Sequence, residues 1–184
     1  MTHNAIPAVL EPDDLLAMPG GDRYELIDGR LKEKEMGAES DKGALRIGGL
    51  LDQFCVRTKS GIAFGSQTGF RCFPKQPKLV RKPDAAVIVT GRLPDDKWPK
   101  GDIALVPDLV VEAVSTHDTY EEVAVKVTEF KSVGVKLIWV ISPETRTVLV
   151  RRADGTCVEL DETGTLSGEN VLPGFACPVA DLFI

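Results

Sequence analysis

The 184-residue chain is short of the side chains that bind metals through nitrogen or sulfur. It has two histidines, His3 and His117, and four cysteines, Cys55, Cys72, Cys157 and Cys177, none of them in a C-x-x-C pair. No spacing fits a zinc motif, so the cysteines read as reduced core or surface thiols. Long apolar runs are missing as well, and no segment is expected to cross a bilayer. The start, "MTHNAIPAVLEPDD", lacks a basic stretch followed by an apolar one, so a cytoplasmic location is expected. Positive charge is in deficit: 22 Lys and Arg against 28 Asp and Glu give a net charge of -6 and a pI near 5.0. That balance argues against a protein coated in positive charge that holds DNA unaided. It leaves room for an enzyme whose metal neutralises clustered carboxylates.

What remains is an ordinary globular composition, 43% apolar and 27% charged, and residues 1–184 are expected to form a single domain. "EPDDLLAMPGGD" reads as a short helix ended by Pro19-Gly20-Gly21. "RYELIDGRLKEKE" reads as two strands turning at Asp28-Gly29. Leu45, Leu50, Leu51 and Phe54 recur at helical spacing between Ser40 and Arg57. "GIAFGSQTGFRCF" suggests a strand pair. "KPDAAVIVTG", "PDLVVEAVS" and "KLIWVISP" are apolar strands of the central-sheet kind. The helix "DTYEEVAVKVTEFKSVG" has Asp118 as its expected cap and Gly134 at its close. A hairpin follows, turning at Asp154-Gly155, and the tail "PGFACPVADLFI" is expected to pack a short turn on the sheet. The strand–helix–strand unit from 108 to 141 implies parallel neighbours, and the hairpins make the sheet mixed. The fold class is α/β: a central mixed β-sheet flanked by helices, with additional β-hairpins.

Three acids lie in strand-like settings: Glu25, Asp84 and Glu112. Glu112 sits in "PDLVVEAVS" on the face of Val110 and Val114, so it is not the polar half of an alternation. Burying it as a lone anion costs several kcal/mol or more unless a partner, a proton or a metal compensates. If its strand pairs with the one that Asp84 opens, the two carboxylates converge. Two or three such oxygens with retained water suit Mg²⁺. Lys126 and Lys131 both flank the helix arc of Tyr120, Val123, Val127, Phe130 and Gly134, and geometry alone does not choose between them.

Plainer readings stand beside these. Glu112 could form a structural ion pair with Lys126 or Lys136, Asp84 could cap a strand entry, and Glu25 could be solvated. "RCFPKQPKLVRKPD" gathers Arg71, Lys75, Lys78, Arg81 and Lys82 either as a solvated hairpin loop or as a phosphate-tracking surface. Ser115, His117 and Asp118 are too close in one turn to form a triad. Trp98 and Trp139 read as packing residues.

The segments "RYELIDGRL", "RKPDAAVIV", "PDLVVEAVS", "VKVTEFKSVGVKLIWVISP" and "PGFACPVADLF", in this order, resemble the Uma-type restriction-endonuclease-like family of the PD-(D/E)XK nuclease superfamily. The likeness runs over nearly the whole chain. It implies a restriction-endonuclease-like fold and Mg²⁺-dependent cleavage of nucleic acid, with Mn²⁺ as a substitute ion. Asp84, Glu112 and Lys126 are its implied catalytic residues. Asp84 and Glu112 are its metal ligands, joined by Glu25 and the carbonyl of Ala113. In most of the superfamily the lysine follows the acid by two positions, where this chain has Val114; in some branches it has moved to the adjoining helix, as Lys126 has here. Lys42 stands where family members often carry a histidine. DNA is the expected substrate and a homodimer the expected assembly. A catalytically inactive interaction or scaffold module on the same fold is the alternative. Hydrolysis of a small phosphoester is another.

Overall fold

The computed structural model describes residues 9–35 and 37–184. His3 lies outside them.

Six strands form the central sheet in the order β3 (Gly61–Gly65), β4 (Ala85–Val89), β5 (Leu109–Ala113), β6 (Leu137–Ser142), β7 (Thr147–Arg152) and β8 (Cys157–Leu160). Only β5 and β6 run parallel; the other neighbours are antiparallel. The connection between these two carries α3 (Tyr120–Ser132), as parallel pairing requires a long crossover. Helix α2 (Ala38–Thr58) covers one face. Its Ile47, Leu51 and Phe54 pack on Val87, Val111 and Trp139, together with Phe175 and Leu182 from the chain's end. The other face is covered by Val127 and Phe130 of α3 and by Phe70, Phe73 and Ile103 from the long loops. With both faces covered, β4, β5 and β6 are buried almost throughout, which is why they read as continuous apolar runs.

Two small hairpins stand outside this sheet. The first joins β1 (Tyr24–Ile27) to β2 (Arg30–Glu33), after α1 (Pro12–Ala17). Its turn places Asp28 and Gly29 at φ 49° and 76°, the left-handed pair that Asp-Gly favours. The second pairs β9 (Thr165–Ser167) with β10 (Ala176–Pro178), and a 3-10 turn, Val179–Phe183, closes the chain.

Some expectations change. "GIAFGSQTGFRCF" supplies one strand, β3; its second half makes only single bridges from Phe70 to Arg81 and Ile103. Thr119, not Asp118, caps α3. The Thr119 hydroxyl accepts from Glu122 N while the Glu122 carboxylate accepts from Thr119 N, satisfying two end groups at once. Tyr120, in the first turn of α3, is exposed to solvent rather than packed on the sheet, and it borders an open groove over β6, β7 and β8. Trp139 is fully buried, but Trp98 is exposed. No described helix is long and apolar enough to cross a membrane.

Asp108, which follows a proline just as Asp84 does, is a structural hub. Its fully buried carboxylate accepts from Val89 N at 3.0 Å, Arg92 at 2.6 Å and Lys136 at 2.8 Å. Burial alone would raise its pKa, but these donors together hold it below the ordinary value. A depressed acid contributes stability above its unfolded pKa and loses it as pH falls. Asp108→Asn should therefore cost about 2–3 kcal/mol at neutral pH, discounting the half-exposed lysine. The gap from the parent should close below about pH 4 in denaturant titrations.

Candidate functional site

Asp84 and Glu112 meet because β4 and β5 pair antiparallel, with Ala85 opposite Val111 and Ala86 opposite Val110. Each acid lies one residue beyond the Ala85–Val111 pair, at the same end of the two strands. The ladder extends to Asp84, whose N–H donates to Val111 O at 3.0 Å. By alternation both side chains share the face of Ala86 and Val110, the face that α3 covers. Ala113, the last residue of β5, donates its N–H to Asp84 Oδ2 at 2.6 Å and fixes that carboxylate across the strands. Glu112 Oε2 accepts from Lys126 Nζ at 3.2 Å. Both are buried, whereas Lys131 at the other edge of the arc is exposed. Lys126 is thus the lysine turned inward.

Glu25, on β1, is 2% exposed and not the solvated strand residue of the plainer reading. Its Oε2 accepts from Arg81 Nη1 at 2.8 Å and its Oε1 from Lys82 N at 2.8 Å. Arg81 in turn donates from Nε to Glu129 Oε2 on α3 at 2.6 Å. Burial would raise Glu25, but the charges of Lys126 and Arg81 and the Lys82 amide hold it below its ordinary value. Both of its oxygens are occupied in this arrangement. Among the described residues no three His, Cys, Asp or Glu form a group that could hold a metal ion.

A second lysine belongs to the site. Lys34, the residue after β2, places Nζ 2.6 Å from Asp84 Oδ1, a charge contact whose angle falls short of a hydrogen bond. The same Nζ donates to Lys82 O at 2.7 Å and to Ser66 O at 3.5 Å. Nothing in "RLKEKE" marks it, since alternating charge there reads as a solvated strand. Its one clue is position, because it continues the hairpin that carries Glu25.

Two carboxylate oxygens at this strand end carry no hydrogen bond. Asp84 Oδ1 meets only the Lys34 ammonium, and the buried Glu112 Oε1 has no hydrogen-bond partner at all. Hard carboxylate oxygens, few in number and with room for water or substrate oxygens, fit Mg²⁺ or Mn²⁺. A narrow cleft reaches Asp84 between α2 and β3, past Asp41, Gly48, Gly49 and Asp52. Burial pushes Glu112 up to about 7 against the pull of Lys126, and the Asp84 charge adds to the rise. Glu112 in return holds Lys126 above its ordinary value. These shifts favour a charged lysine beside a reluctant acid, as the unpartnered oxygen demands. An acid raised on folding contributes stability below its unfolded pKa and loses it as pH passes the folded value. In chelator, the melting temperature of the parent relative to Glu112→Gln should therefore fall by about 5 °C between about pH 5 and 8.

Other candidates resolve into local structure. Ser115 Oγ accepts from His117 N and Asp118 Oδ2 from Ser115 N, which is a turn and not a triad. Most of the basic stretch is tied down: Arg71 to Asp13, Lys78 to Glu11, and Lys82 to Gly21 O, besides Arg81. Lys42 is exposed on α2. The four cysteines are unpaired.

Comparison with known proteins fits this arrangement. One crystal structure, titled as that of a putative nuclease belonging to DUF820 from Anabaena variabilis ATCC 29413, superposes with a TM-score of 0.77. It is 20% identical, over 95% of this chain and 97% of that one, so the likeness is one of fold. A search of curated proteins gives no match. A family profile described as Uma2, putative restriction endonuclease, matches residues 12–180. With nearly the whole length matched, the chain belongs to the Uma2 family of restriction-endonuclease-like proteins.

Proposed function

We propose that the protein is a metal-dependent nuclease that hydrolyses phosphodiester bonds of nucleic acid at the Asp84–Glu112 site. The observation that carries this reading is the bare, buried Glu112 Oε1 beside an Asp84 oxygen that meets only a lysine. A purely structural ion pair is favoured when both carboxylate oxygens find donors, and here two oxygens on adjoining acids lack a hydrogen bond at one strand end.

Asp84 and Glu112 would hold Mg²⁺, or Mn²⁺ in its place, with the Ala113 carbonyl as a further ligand. Such an ion, when bound, polarises a phosphoryl oxygen and lowers the pKa of water. Ala113 N–H keeps the Asp84 carboxylate in one orientation, with Oδ2 held by the main chain and Oδ1 toward the Lys34 ammonium. Lys126, anchored on Glu112, offers a fixed positive charge to the oxygen on which negative charge develops. Glu25 acts from behind: its carboxylate faces Lys126 electrostatically and is oriented by Arg81. DNA is the substrate we favour, in keeping with the family's description, and pairing of two chains would bring a site to each strand. Asp41 and Asp52 along the cleft make a phosphate approach depend on cations in the site.

Asp84→Ala, Glu112→Ala and Lys126→Ala should each lower Mg²⁺-dependent cleavage of DNA at least about 100-fold while leaving the far-UV circular dichroism unchanged. Full activity in Glu112→Ala would overturn the assignment. Mn²⁺ should raise the melting temperature of the parent but not that of Asp84→Ala, and cleavage of a nucleotide analogue without cleavage of DNA would move the substrate to small phosphoesters.

A further inference from the structure

Lys34 has no part in the chemistry proposed above, yet its ammonium stands in a nest of three oxygens. They are Asp84 Oδ1 at 2.6 Å, Lys82 O at 2.7 Å and Ser66 O at 3.5 Å. A carboxylate and two carbonyls are what a hard cation would choose. The lysine is held there, with a side chain only 11% exposed, and its own N–H is pinned to Arg23 O at 2.9 Å. Asp84 Oδ2 accepts from Ala113 N, so Oδ1 is the Asp84 oxygen free of a hydrogen bond and the better placed for an incoming ion. Lys34 sits on it.

We infer that Lys34 is a built-in competitor for the metal: its ammonium occupies the cation position on Asp84 Oδ1, and a divalent ion binds only by displacing it. This rests on the reading of Asp84 and Glu112 as metal ligands and adds a regulation of that site. Two like charges cannot share one carboxylate oxygen at close range without strong repulsion. The displaced ammonium keeps Lys82 O and Ser66 O as acceptors on the protein side, and it is a ready partner for a phosphate entering the cleft. Metal and phosphate would then favour each other's binding, because each offers what the other takes away. Lys126 cannot play this part, since it is engaged with Glu112 Oε2 and leaves Oε1 open.

The test is Mn²⁺ affinity without nucleic acid, read by electron paramagnetic resonance of the free ion. Lys34→Gln removes the charge and should bind Mn²⁺ about tenfold more tightly than the parent. Lys34→Arg keeps the charge and should stay within about twofold. Unchanged or weaker binding in Lys34→Gln overturns the inference. A second measurement needs no variant: labelling of Lys34 by an amine-reactive reagent, followed by mass spectrometry, should rise when Mn²⁺ is added to the parent. Labelling indifferent to Mn²⁺ overturns the inference equally. If binding is lost in Asp84→Ala but indifferent to Lys34, only this inference falls. If no Mn²⁺ binding depends on Asp84, the metal reading falls and takes this one with it.

Discussion

A carboxylate at the end of a strand covered on both faces is largely withdrawn from bulk water, and the chain puts Glu112, 3% exposed, in that position. Its charge must be balanced from inside the protein. Much of the surrounding architecture follows from that need. Lys126 has to lie on the inner arc of α3, so the helix must cross the end of β5 at that height. Glu25 lies close enough to weigh on the same lysine, so it in turn needs Arg81, and Arg81 needs Glu129. Asp84, brought alongside by strand pairing, draws in Lys34. A chain of alternating charges thus links the first hairpin, the central sheet and α3. Removing one member leaves its neighbour buried and uncompensated, which costs more than the pair contributes.

Among the described residues the balance is incomplete at a few buried polar atoms, Asp102 Oδ2 among them, and one of these lies beside Asp84. Glu112 is the acid whose desolvation outweighs its lysine, and one of its oxygens is bare. Elsewhere the same protein completes the job: Asp108, at the opposite end of β5, collects a main-chain N–H and two cations. The contrast between the two ends of one strand separates a structural acid from one that waits for something. Both follow a similar rule of burial, and only the satisfaction of their oxygens differs.

Much of the sheet was legible because burial on both faces writes itself as uninterrupted apolar runs, and the turns at Asp28-Gly29 and Asp154-Gly155 announce their hairpins. Asp84, Glu112 and Lys126 could be singled out because each is a charge in an apolar setting. Family resemblance then chose among the lysines, which helical periodicity could not do. Lys34 and Arg81 were beyond reach for the opposite reason. They sit in segments so rich in charge that local sequence reads as solvent-facing, and only long-range packing reveals that they point inward. The strand expected near Phe70 failed similarly: an apolar pattern cannot say whether a partner ladder is there to receive it. Tyr120 was placed on the sheet-facing arc by its spacing, but it borders an open groove, and periodicity carries no information about how closely a helix end sits on the sheet.

The hairpin of β1 and β2 reaches the site through polar contacts: Glu25 to Arg81, Lys32 to Glu122 and Lys34 to Asp84. None of these side chains belongs to the two large apolar clusters that hold the sheet and its helices together. The same hairpin also packs Leu26 and Leu31 with Val80, and Ile27 against the cluster under α3, so one short segment serves both packing and charge. The hairpin therefore cannot be altered freely: its apolar residues secure it to the body of the fold while its charged residues set the electrostatic surroundings of Asp84 and Glu112.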